Sequence, residues 1–125
     1  MDMAAKLHKV NQLDPTVMGA TTLIKMATID GARVLGLETI TGSLEVGKRA
    51  DLIVVDTHKP HLVPMYNPYS HLVYAANGQD VRHSIIDGTI VMEDRRLLTI
   101  ELSDIIKESR EQSRKVRKWL KIDHE

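Results

Sequence analysis

The chain has 125 residues, 42% of them hydrophobic, with no phenylalanine and one tryptophan; it holds one modest domain or a piece of a larger one, with a core resting on Leu, Ile, Val, Met and Ala. Its 17 basic and 17 acidic residues cancel to zero net charge, which speaks against a nucleic-acid partner, since such proteins carry a basic excess on one face. Cysteine is absent, excluding disulfides and thiolate metal sites; no signal peptide and no apolar run of bilayer-spanning length is found, so no membrane partner and a cytoplasmic location are expected.

Met3, Ala4, Leu7 and Val10 recur at helical spacing and predict an amphipathic helix over Met1 to Gln12, stopped by Asp14-Pro15. A second helix is expected from Ala20 to Thr28, with Leu23, Ile24 and Ala27 on one face. A short third one is capped by Asp30, turns through Ala32 to Leu35 and ends at Gly36.

The pattern then changes. Turns at Thr41-Gly42-Ser43 and Glu45-Val46-Gly47-Lys48 lead into Leu52-Ile53-Val54-Val55, a β-branched run that reads as a strand buried on both faces. Pro60, Pro64 and Pro68 forbid a regular helix and predict an extended connection. Ser70 to Ala76 predicts a short helix ended by Asn77-Gly78. Val81 to Ile86 and Thr89 to Met92 flank Asp87-Gly88, a pair suited to the two positive φ angles of a type I′ hairpin turn. A further turn at Asp94-Arg95 precedes Arg96-Leu97-Leu98. Last comes a helix over Glu101 to Lys121, capped by Thr99, with Leu102, Ile105, Ile106, Val116, Trp119 and Leu120 as its apolar face and Ser109 and Ser113 interrupting it. Its basic residues Arg110, Arg114, Lys115, Arg117, Lys118 and Lys121 concentrate late, with Asp104, Glu108 and Glu111 among or just before them, and read as a solvated face.

No chemistry stands out. Gly42, Gly47 and Lys48 satisfy part of a phosphate-loop pattern, but Arg49 replaces the Ser or Thr that holds magnesium, and the loop feeds a strand rather than opening a helix. The histidines are His8, His58, His61, His71, His83 and His124; His58 and His61 are separated by Lys59-Pro60, and in an extended chain residues three apart point to opposite faces. A catalytic zinc wants three protein ligands and an open position. His58, His61, His71 and His83 are therefore read as surface or interface residues, and a small metal-binding protein built on them is the weakest reading. No catalytic, cofactor-binding or metal-binding residue is assigned.

The stretch from Met26 to Leu37, running on through Gly42-Ser43-Leu44-Glu45-Val46-Gly47-Lys48-Arg49-Ala50-Asp51-Leu52-Ile53-Val54-Val55-Asp56, resembles the closing signature of the amidohydrolase superfamily. His61 to Pro68, Ser70 to Ala75 and Val91 to Arg95 resemble the 5′-methylthioadenosine/S-adenosylhomocysteine deaminases and related chlorohydrolases. The resemblance implies an α+β segment of a larger enzyme in which a (β/α)₈ barrel carries the metal and a small β-sandwich packs beside it. Residues 1–37 would be helices at the end of the barrel, 38–98 the C-terminal strands of the sandwich, and 99–125 a C-terminal helix. In such enzymes a His-x-His pair, two further histidines and an aspartate hold zinc or another divalent metal; none of these is found here, so no cofactor is expected in this chain. It would be the structural, non-catalytic part of a hydrolytic deaminase acting on C–N bonds of an aminopurine-like substrate. The alternative is a free-standing oligomerisation or interaction module. The apolar stripes Met3, Leu7, Val10 and Leu23, Ile24, Ala27 are expected to seek a cover. That cover is either a barrel-containing partner chain or a second copy, joined through the N-terminal helices or by exchange of the C-terminal one.

Overall fold

A computed structural model describes residues 1–121. They form five α-helices and a four-stranded antiparallel sheet of order β1-β2-β3-β4, so the fold is α+β, as the change of pattern near residue 40 implies.

Helix α1 (Asp2–Gln12) ends with Leu13 in the left-handed conformation, where the Asp14 N–H reaches back to the Lys9 carbonyl at 3.2 Å. Pro15 thus follows a stop already made. Helix α2 (Ala20–Ala27) meets α3 (Ile29–Val34) at Thr28, whose hydroxyl donates to the Ile24 carbonyl at 2.7 Å. Asp30 is not the cap the sequence predicts: it lies in the first turn of α3 and pairs with Arg33 at 2.6 Å. The residue at the cap is Thr28, which spends its hydroxyl on the preceding helix.

Strand β1 (Leu52–Val55) is not buried on both faces. It is an edge strand, and Ile53 is 58% exposed. A near-continuous apolar run predicts a doubly covered strand only when layers lie on both sides, and Ile53 and Val54, on its two faces, are both left exposed by the described residues. From β1 the chain takes a 3-10 turn at Pro60–Leu62 and a cis Val63–Pro64 bond to helix α4 (Pro68–Tyr74). Pro68 opens α4 rather than extending the connection: the first helical position needs no N–H, and the Asn67 side chain accepts from the Ser70 N–H at 3.0 Å. Asn77-Gly78 does not simply end that helix but starts a second 3-10 turn over Gly78–Asp80.

Strands β2 (Val81–Ile86) and β3 (Thr89–Glu93) form the hairpin, with Ile85 opposite Ile90 and Ile86 opposite Thr89. Asp87 and Gly88 have φ of 50° and 76°, the two left-handed positions of a type I′ turn. Asp94 and Arg95, also at positive φ, turn the chain into β4 (Arg96–Leu97). Helix α5 (Leu102–Leu120) follows. Its cap position is Glu101, with no side-chain cap bond, so Thr99 lies too early to cap it. None of its residues is buried, neither those of its apolar face nor Ser109 and Ser113 in its middle.

The core lies among the helices. Ala5 of α1, Leu23 of α2 and Val73 of α4 pack together with Ala4, Met18, Ala20 and Ile24 around them. Leu23, at 1% exposed, therefore has its cover inside this chain, whereas Ala27 and the α1 stripe of Met3, Leu7 and Val10 face outward. No residue of the four strands is fully buried.

Candidate functional site

Asp80 is the one buried charged side chain among the described residues, 3% exposed. Local chemistry puts it there. Asn77 accepts from the Gln79 N–H at 2.8 Å, and the Asp80 carboxylate accepts from the Asn77 N–H at 2.8 Å, the reciprocal pair of a capping box. The same carboxylate oxygen lies 2.9 Å from Nε2 of His61, and the Asp80 carbonyl accepts from the Asp56 N–H at 2.8 Å. Three segments are thereby knotted: the end of β1, the proline-rich connection and the start of β2. The His61 hydrogen bond, then the Asn77 N–H, holds the Asp80 carboxyl below the usual carboxylate range. A carboxylate kept ionised in this way anchors structure and is a poor proton donor near neutrality.

Beside this knot is a shallow cleft of about 190 Å³ lined by Asp56, Lys59, Gln79, Asp80, Arg82, Asp94 and Arg95. Its charges compensate one another. Lys59 is 3.3 Å from Asp56 and Arg82 pairs with Asp94. Arg95 donates to the carbonyls of Gly78 at 2.8 Å and Val81 at 3.1 Å. Asp94 is held below its ordinary pKa chiefly by Arg82, and Asp56 chiefly by the His58 N–H. No nucleophile faces a base across this cleft; it is a seam of ion pairs joining the hairpin to the connection.

The histidines weighed as ligands are dispersed. His58 is exposed near Asp56, and His61 turns to Asp80. The His71 Nδ1 meets the Asn67 carbonyl at 2.9 Å on α4, and His83 lies on β2 beside Asp94. Among the described residues, no group of three or more His, Cys, Asp or Glu side chains converges where an ion could sit. The residues present therefore do not fit a three-ligand zinc centre. His124 lies outside the described residues.

The glycine-rich run read as a false phosphate loop has a structural task. Asp51 accepts from the Asp87 N–H at 2.7 Å and from the Thr41 hydroxyl at 3.0 Å, fastening the hairpin tip to the loop. These two bonds hold its carboxyl below the usual range. Gly42, at φ +90°, lies so close to α3 that a Cβ there would be 2.7 Å from the Ala32 Cβ and 2.9 Å from the Ile29 Cα. Neither role was visible as chemistry in the sequence. The capping box had a readable signal, Asn77 with an acid three residues on; the two Asp51 bonds had none, because their donors are 10 and 36 positions away.

Residues 1–91 match the model of the amidohydrolase family, and the chain belongs to that family. It is 54% identical over 121 residues to the 5-methylthioadenosine/S-adenosylhomocysteine deaminase 1 of Syntrophus aciditrophicus, a match covering 97% of this chain and 27% of that protein. It is 50% identical over 107 residues to the 5′-deoxyadenosine deaminase of Methanosarcina acetivorans, covering 86% of this chain and 24% of the relative. Among solved structures, a zinc-bound adenosine deaminase from Xanthomonas campestris superposes with a TM-score of 0.88 at 34% identity, over 92% of this chain and 26% of that one. The chain thus spans about a quarter of the length of the relatives it matches. No described helix is long and apolar enough to cross a membrane.

Proposed function

We propose that this chain is the C-terminal part of a metal-dependent hydrolytic deaminase that releases ammonia from an aminopurine nucleoside or its 5′-substituted relatives, and that its own part is structural. The carrying observation is the 54% identity over 97% of the chain to a methylthioadenosine/adenosylhomocysteine deaminase. In this reading residues 1–37 complete the barrel and residues 38–98 supply a β-sandwich segment. Residues 99–125 form a C-terminal helix, and the zinc or other divalent metal is held by residues outside this chain. The outward stripe of Met3, Leu7 and Val10 and the exposed Ile53 and Val54 of β1 support it, since these are apolar side chains that further parts of an enzyme would cover.

The test is a graft. The chain replaces the matching segment of the Syntrophus aciditrophicus enzyme, and ammonia release from 5′-methylthioadenosine, S-adenosylhomocysteine, 5′-deoxyadenosine and adenosine is assayed. The hybrid is expected to turn over and the 125-residue chain alone to be inert. An inactive hybrid that is folded and metal-loaded counts against the reading, as does turnover by the isolated chain.

The second reading, a self-standing interaction module, is favoured by one feature: α5 is exposed along its whole length.

A further inference from the structure

Helix α5 is 19 residues long, roughly 28 Å at the usual rise per residue, and no side chain of it is buried by the other described residues. Taken as heptads from Leu102, its a and d positions are Leu102, Ile105, Ser109, Gln112, Val116 and Trp119. Both ends of the stripe are apolar and its middle is polar. The charges are polarised along the same helix. Glu101, Asp104, Glu108 and Glu111 concentrate toward its start, and Arg114, Lys115, Arg117, Lys118 and Lys121 toward its end, with Lys107 and Arg110 as the exceptions.

From this self-complementary pattern we propose that α5 is a homodimerisation helix, pairing antiparallel with the α5 of a second copy of the chain. In the antiparallel register Leu102 layers against Trp119 of the second copy, Ile105 against its Val116, and Ser109 against its Gln112, with the reciprocal layers following by two-fold symmetry. The flanking g positions then bring Glu108 to Lys115 of the second copy and Lys115 to its Glu108. The acidic start of each helix lies along the basic end of the other, and the helix dipoles oppose. A parallel pair buries the same side chains in like-with-like layers, Leu102 on Leu102 and Trp119 on Trp119, but it lays the two basic ends side by side and brings Glu108 only to Ser113 and Lys115 only to Leu120. The charges therefore select the antiparallel form. The two Ser109–Gln112 layers fix its register and weaken it, so association falls in the micromolar range. The occupant of this surface is a second copy irrespective of what the complete enzyme deaminates.

Trp119, 80% exposed and the chain's single tryptophan, reports the pairing directly. Sedimentation equilibrium of the full chain should show a dimer forming over the micromolar range, with Trp119 emission moving to shorter wavelength in step. Val116→Glu should abolish both while leaving the circular dichroism of the chain intact. Glu108→Lys and Lys115→Glu should each weaken the dimer about tenfold, the effect of turning two exposed attractive pairs into repulsive ones. Mixing these two variants in equal amounts should restore association, because both g-position lysines of one variant then face both g-position glutamates of the other. A monomer with water-exposed Trp119 emission at a concentration roughly a hundred-fold higher overturns the proposal. So does a dimer that survives Val116→Glu, or a mixture no tighter than its components.

Discussion

Nε2 of His61 lies 2.9 Å from Oδ2 of Asp80, 19 positions along the chain, and this contact anchors the proline-rich connection to the sheet. The sequence pattern marks His61 as half of an H-x-x-H pair; the fold turns it away from His58 and gives it to a buried carboxylate instead.

The Asp80 contact makes stability depend on pH. Its folded pKa is lowered from the ordinary 3.8, first by His61 and then by the Asn77 N–H. A carboxylate of lowered pKa adds stability that is present above the unfolded value and lost as pH falls through the folded one. Asp80→Asn should therefore reduce the urea midpoint at neutral pH and flatten its fall below about pH 4. The flattening is partial, because Asp14, Asp51, Asp56 and Asp94 are lowered as well. Identical midpoint-against-pH curves for the two proteins would show that Asp80 gains nothing from its donors.

Gly42 and Gly47 separate backbone strain from crowding. Both sit at positive φ, +90° and +92°, yet a Cβ at Gly47 meets nothing within 4 Å, whereas one at Gly42 collides with Ala32 and with the backbone at Ile29. Gly47→Ala should cost about 1 kcal/mol, the scale of a disfavoured dihedral. Gly42→Ala adds a clash that only movement of α3 relieves, so its loss of stability in urea unfolding should be larger by about 1–3 kcal/mol. Equal losses would mean that the loop stands off α3.

Short-range rules carried most of what could be read beforehand. The Asp87-Gly88 hairpin and the turn at Asp94-Arg95 lie where the sequence puts them, because their backbone demands are local to two residues. Helices α1, α2 and α5 follow their apolar periodicity to within a residue or two. The departures come where a distant partner or a missing layer decides. Leu52 to Val55 has the composition of a doubly covered strand but sits at an edge. Leu23 reads as part of an outward face with Ile24 and Ala27 and is covered from within by Ala5 and Val73, and nothing in a sequence of this length tells one cover from another. Asp80 looked like one carboxylate among many until His61 and Asn77 closed on it.

Purified chain should hold zinc, iron or nickel well below one ion per chain, because His58, His61, His71 and His83 go to separate partners and no three ligands converge among the described residues. Elemental analysis after dialysis checks this. One tightly held ion per chain, lost with His58→Ala or His61→Ala, would instead establish a metal site on the connection.

The helical core gives the sharpest prediction about stability. Among the described residues the buried hydrophobics are Ala5, Leu23, Ala32, Leu62 and Val73, and the large ones fully buried are Leu23 and Leu62. Leu23→Ala removes the side chain on which α1 and α4 both close, and truncations of this kind cost about 2–5 kcal/mol. Domains typically hold only about 5–15 kcal/mol in all, so this variant should lose most of its cooperative urea transition. Leu7, on the outward stripe of α1 and 61% exposed, should tolerate the same change within about 0.5 kcal/mol. The contrast tests which side of α1 holds the helix to the rest of the chain. If Leu7→Ala destabilises the chain as much as Leu23→Ala, α1 is held through its Met3, Leu7 and Val10 stripe, and its packing through Ala5 onto Leu23 and Val73 is wrong.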